Sequence, residues 1–197
     1  MPTYAAVVAR PVAGGLLVRE SPAGDVVVRL GRRTPFGSPV VVSVAKRRGR
    51  WLGVITPGVP NDRLGWVEAR KVRMSKVPVR LEVSLSARRL LVLRKNRIVA
   101  RIKVGIGSAS TPTPTGRFAI TDKLPGAELS PAYGCCVLAL SGNQPHPPPG
   151  WGGSETRIAI HGGAFGAISA GCLHARTSAL RFLMANVPLG TRVTIRA

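Results

Sequence analysis

The chain has 197 residues, 45% hydrophobic and 19% charged, a balance that gives a globular protein with enough length for one good core or two small ones. Its 29 Lys and Arg against 8 Asp and Glu give a formal charge of +21, which attracts polyanions such as nucleic acid, anionic lipid headgroups or phosphate-bearing wall polymers. The charge is spread rather than clustered: residues 1–73 hold 13 basic and 4 acidic side chains, and residues 74–197 hold 16 and 4. Aromatics make up only 5%, so the interleaving of bases and rings expected of a specific nucleic-acid reader is absent. No run approaches the roughly 18 apolar residues of a transmembrane helix.

Residues 1–73 read as short strands over Tyr4–Ala9, Gly15–Arg19, Asp25–Leu30, Pro39–Ala45, Trp51–Thr56 and Gly65–Ala69. Most are rich in Val and bounded by Gly, Pro or Asp, which predicts a small barrel or meander. Trp51 and Trp66 are expected to fill its core, and Arg47–Arg50 to form a solvated hairpin turn. Leu17-Val18-Arg19, Ser21-Pro22, Val26–Leu30, Trp51-x-x-Val54 and the closing Gly65-Trp66-Val67 together resemble a bacterial Src-homology-3-like domain.

Arg70–Pro78 carries five basic or Pro positions and no period, so residues 74–78 are predicted to link the first domain to a second over 79–197. Paired strands follow at Arg80–Ser86 and Arg89–Leu93, then a polar turn at Arg94–Arg97 and a strand over Ile98–Ile106. Pro112 and Pro114 fix a loop before the strand Arg117–Thr121. Cys135 and Cys136 are adjacent, poorly placed to bridge each other, and are expected to be core residues beside the strand Cys136–Leu140. Residues 141–154, rich in Pro and Gly, predict a long loop with His146 exposed. Thr177–Ala185 is the one segment of helical period, with Thr177 or Ser178 as its cap, and Thr191–Ile195 is the last strand. No zinc spacing, Walker loop or dinucleotide fingerprint appears.

Arg157–His161 alternates around Ile158 and Ile160, and Gly162-Gly163 ends it, so His161 sits at a strand end. Ser169-Ala170-Gly171 has no bulky side chain before Cys172, which presents the thiol at a sharp turn. An imidazole beside a thiol makes a nucleophile and its base, and is expected here to convert the thiol to thiolate. The plain structural alternative is a small buried cysteine and a satisfied strand-end histidine.

Ile160-His161-Gly162 followed by Ser169-x-Gly171-Cys172-Leu173 resembles the signature of the L,D-transpeptidase (YkuD-type) catalytic domain. Thr111-Pro112-Thr113-Pro114-Thr115-Gly116-Arg117-Phe118, and Tyr133-Gly134 with Leu138-Ala139-Leu140-Ser141, match two further segments of that family in order, over about residues 77–197. Many members have Ser-His-Gly-Cys where this chain has Ala170, commonly Arg or Asn where it has His174, and a longer interval between the histidine and the cysteine.

The resemblance implies a mainly β catalytic domain with one short helix. It implies Cys172 as nucleophile, His161 as proton acceptor and donor, and Ser169 orienting His161 or the loop. The backbone at Gly171 and Cys172 would hold the oxyanion, and His174, Gly162 and Tyr133 would lie on the substrate side. It also implies peptidoglycan stem peptides as substrate, no cofactor, anionic wall polymers as further partners, and an extracytoplasmic place of work. Ala5–Ala9 is too short for a secretory signal, so the export signal is expected to lie outside this sequence. Two rivals stay open: an L,D-carboxypeptidase with the same site, and a non-catalytic wall-binding protein.

Overall fold

A computed structural model describes residues 6–152 and 156–197. The start of the expected Tyr4–Ala9 strand and positions 153–154 of the expected loop lie outside the described residues. Seven strands form the amino-terminal sheet: β1 (Ala6–Pro11), β2 (Leu16–Arg19), β3 (Val26–Leu30), β4 (Val42–Arg48), β5 (Trp51–Ile55), β6 (Gly65–Glu68) and β7 (Val72–Val77). All pair antiparallel, in the order β3-β2-β6-β5-β4-β1-β7. Val residues alternating along short runs favour such pairing. Leu16, Val18, Leu52, Val54 and Val67 make its core, and Trp51 and Trp66 are buried at its margin under Arg19, Arg50, Lys46 and Arg48.

The expected linker is a strand. β7 pairs with β1 from Val72 to Val77, so only Pro78 separates the first sheet from β8 (Val79–Ser84). β7 shows no alternation because it is the end strand of its sheet, buried only at Val72 and Val77.

The second sheet comprises β8, β9 (Arg89–Arg94), β10 (Arg97–Lys103), β12 (Gly116–Pro125), β13 (Cys136–Asn143), β14 (Arg157–His161), β16 (Leu173–His174) and β17 (Arg192–Arg196). Their order is β10-β9-β8-β17-β12-β13-β14-β16, so the last strand lies mid-sheet, parallel to β8. The turn between β9 and β10 puts Lys95 and Asn96 at positive φ, as a two-residue hairpin requires. A separate parallel pair, β11 (Ile106–Gly107) with β15 (Ala167–Ser169), flanks the turn before Cys172.

Among the described residues, besides the short turn α1 (Gly126–Leu129), there is one amphipathic helix, α2 (Thr177–Asn186), which buries Leu180 and Leu183 against the sheet. Its cap position is Arg176, not Thr177 or Ser178, and no side chain caps it. The predicted 141–154 loop begins later than expected, because β13 runs on to Asn143; His146 is exposed as expected.

The two sheets share a core. Val8 and Val41 of the amino-terminal sheet pack with Leu81, Phe118, Ile120 and Val193 of the second. Asn61 and Asn143 exchange two hydrogen bonds, at 2.7 and 3.1 Å, Thr34 donates to Asp122, and Arg192 donates to the Val44 carbonyl at 2.8 Å. The amino-terminal sheet is thus bolted to the second rather than tethered to it.

Candidate active site

Strand pleating puts Arg157, Ala159 and His161 on one face of β14, beside Val137 and Ala139 of β13. That face floors a cavity of about 250 Å³, closed by Tyr133, Leu124, Leu129 and Cys172, and on one side by Phe36 from the amino-terminal sheet. His161 and Cys172, eleven positions apart in sequence, therefore line the same cavity.

The His161 ring is held on three sides. Nδ1 lies 2.5 Å from the Gly162 carbonyl. A carbonyl only accepts, so Nδ1 carries the proton and Nε2 is left as the ring's basic atom. The Tyr133 ring lies 4.6 Å from the His161 ring and the His174 ring 4.8 Å. His174 is fixed by its strand register opposite His161 and by an Nδ1 hydrogen bond of 2.7 Å to the Ala164 carbonyl. It does not line this cavity. Gly162 is likewise scaffold: its N–H donates to the Tyr133 carbonyl at 2.8 Å, and a side chain there would collide with that carbonyl. Of the expected substrate-side residues, Tyr133 alone faces the cavity.

Of its two expected roles, Ser169 makes its contacts within the loop. Its hydroxyl donates to the Cys172 carbonyl at 2.6 Å and accepts from the Gly171 N–H at 3.1 Å, closing the turn on itself. This removes Gly171 as an oxyanion donor, because its N–H is already used; of the two expected donors only the Cys172 N–H remains a candidate. Gly171 itself is required by packing. It sits at φ +111°, and a Cβ would fall 2.3 Å from Nε2 of Gln144.

Gln144 is a residue the sequence did not reveal. Nine-tenths buried, it donates to the Pro112 carbonyl at 3.1 Å and the Ala170 carbonyl at 3.0 Å. Thr111 donates to the Ser169 carbonyl at 2.9 Å, and Thr113 accepts from the Gly107 N–H at 2.8 Å. The Thr-Pro-Thr-Pro stretch thus braces the turn before Cys172.

Cys135 and Cys136 form a disulfide with each other, which overturns the expectation that they do not bridge. Opposed side chains are a property of residues inside a strand, and Cys135 precedes β13, following Gly134 at φ +68°. Cys172 is the free cysteine.

Burial pushes the Cys172 thiol up to about 11, against a smaller pull from a backbone hydrogen bond at Ala159. Burial pulls His161 down to about 4, with the Gly162 hydrogen bond raising it and nearby His174 lowering it further. The resting pair is therefore neutral thiol and neutral imidazole, not the expected thiolate, because both charged forms lose solvation in this cavity. A consequence for stability follows. The unfolded chain binds the His161 proton near pH 6.5 and the folded one only near 4, so stability is full above about 6.5 and declines as pH falls to 4, by about 3 kcal/mol. Urea unfolding of wild type and His161→Gln across that window is expected to show the steeper acid loss in wild type only; parallel curves would contradict it.

The arrangement is one free thiol and one basic imidazole on the floor of a cavity in a mainly β fold, a set suited to acyl transfer through sulfur. The family model for the YkuD L,D-transpeptidase catalytic domain matches residues 78–195, which is the second sheet almost end to end. Proteins of Bacillus licheniformis and Bacillus subtilis assigned by name to L,D-transpeptidase YkuD are 28% and 30% identical over 147 and 149 residues, 72% of this chain and 73% of each of theirs. The fold resembles that of L,D-transpeptidase 3 from Mycobacterium tuberculosis, with a TM-score of 0.50 at 12% identity over 80% of this chain and 92% of that one. The chain belongs to the YkuD family of L,D-transpeptidase catalytic domains. Among the described residues no helix is long and apolar enough to cross a membrane, and no group of side chains is disposed to hold a metal ion.

Proposed function

We propose that the chain is an extracytoplasmic peptidoglycan L,D-transpeptidase with Cys172 as nucleophile and His161 as its proton acceptor and donor. The observation that carries this reading is the shared cavity: the free thiol and an imidazole with a lone pair at Nε2 line one apolar cleft. Nε2 takes the thiol proton as sulfur adds to the carbonyl of the third residue of a stem tetrapeptide. The imidazolium then protonates the departing terminal D-alanine amine, leaving a thioester on Cys172. In the second half the side-chain amine of another stem attacks the thioester, gives its proton to His161, and the thiol is restored. With both groups neutral at rest, the proton moves with the attack, so His161 acts as a general base and not as the partner of a preformed ion pair.

The amino-terminal sheet is read as Src-homology-3-like on its Gly65-Trp66-Val67 close, and the diffuse basic surface as attraction to anionic wall polymers. Water in place of the acceptor amine would give the carboxypeptidase. Incubation with a purified disaccharide-tetrapeptide, followed by mass spectrometry, tests the reading. A cross-linked dimer lacking one D-alanine is expected; a tripeptide would assign the carboxypeptidase, and unchanged substrate would favour a binding protein.

A further inference from the structure

A second cavity, about 450 Å³, lies where the two sheets meet. Its apolar wall is Val28 and Leu30 of β3, Val42 of β4 and the adjoining Val40; Arg33 stands at its exposed rim, and Thr121 and Arg157 come from the second sheet. Arg157 lines this cavity and the Cys172 cavity alike, and the loop Thr34–Phe36 forms the wall between them. The hydroxyl of Thr56, buried at its edge, has no hydrogen-bond partner among the described residues.

Arg157 is held in place by a break in the sheet. The register of β13 against β14 jumps between Ala139 and Asn143, freeing the Leu140 carbonyl, which accepts from Nε and Nη2 of Arg157 at 2.8 and 2.6 Å. Nη2 also donates to Thr121 at 2.6 Å. The opposing carboxylate, Asp122, stands 3.9 Å away, fully buried, with one oxygen occupied by Thr34, and it lines neither cavity. The lining of the larger cavity thus includes no carboxylate, and the anion facing Arg157 is the buried Asp122. Nε and Nη2 of this fixed guanidinium are taken by Leu140 and Thr121, and Nη1 is left to donate a charge-assisted hydrogen bond to a carboxylate in the pocket.

We propose that this cavity is a subsite for the acyl donor, and that Arg157 reads a carboxylate on it. The inference rests on the transpeptidase reading and names what the donor must carry. Arg157 and His161 are four strand residues apart, about 13 Å, so the carboxylate lies about that far from the scissile carbonyl on an extended donor. The amino-terminal sheet thereby becomes one wall of the substrate site, and Phe36 its contribution to the catalytic cleft.

The test compares two synthetic peptide donors identical except for a free carboxylate or a carboxamide at that distance. Wild type is expected to favour the carboxylate by about tenfold or more in kcat/KM. Arg157→Gln brings the ratio close to one and Arg157→Lys restores part of it, whereas a merely structural role would lower both donors together. Because Arg157 also braces the Leu140 carbonyl, Leu30→Trp supplies a second arm: it narrows the cavity from β3 and lowers the same ratio by raising KM for the carboxylate donor. A wild-type ratio near one, or a ratio that neither Leu30→Trp nor a folded Arg157 variant moves, overturns the subsite while leaving the transpeptidase intact. Turnover of neither donor by wild type removes the transpeptidase reading itself.

Discussion

Cys172→Ala is expected to abolish turnover, a loss of the order of 10⁶ when a covalent nucleophile is removed. It is also expected to abolish all covalent labelling. A carbapenem, the acylating agent that the family resemblance suggests, should add its mass once to each wild-type chain and not at all to the variant. The structure sharpens this contrast, because Cys135 and Cys136 are joined to each other and present no thiol in the oxidised protein. Thiol titration of the native chain should therefore count one group, and none in Cys172→Ala. Cys135→Ala and Cys136→Ala should each keep turnover and the Cys172 adduct, since neither residue lines the cavity that holds Cys172. A carbapenem adduct recovered on Cys135 or Cys136 would overturn the site.

The parts of this site that were legible in sequence are those in which local pattern and tertiary role coincide. Ile158 and Ile160 alternate because β14 is a strand, and Gly162-Gly163 ends it where His161 meets the cavity. Leu180 and Leu183 show helical spacing because that face of α2 is buried. What escaped depends on partners distant in the chain. Gln144 bonds to residues 32 and 26 positions away, and nothing in its own neighbourhood marks it as a clamp. Phe36 sits in a Pro/Gly loop of the other sheet, so only the packing of the sheets reveals that it walls the cleft. β7 was hidden by its place at a sheet end, where four successive side chains are free to face solvent. The ionisation of the thiol is not legible in sequence for a different reason: a nearby imidazole favours thiolate only if the ion pair is solvated or otherwise stabilised, and burial here acts against both charges.

His161→Ala is expected to lower the acylation rate by about 10²–10⁴, the usual worth of a positioned general base. Its pH profile separates this from a packing defect. In wild type the rate should fall in acid as His161 takes up a proton near pH 4, and be flat above that, since the neutral thiol and neutral imidazole are the reactive forms. Without the imidazole, only thiolate can attack. With the thiol held near 11 by burial, the residual rate of His161→Ala should climb about tenfold per pH unit through neutrality, and the acid limb should disappear. His174→Asn should behave otherwise. His174 lowers the His161 pKa through its charge and packs 4.8 Å from that ring, so removing it should move the acid limb upward in pH while the plateau rate falls far less than in His161→Ala. If His174→Asn instead gives the log-linear alkaline profile and His161→Ala keeps the plateau, the base is His174 and the roles are exchanged.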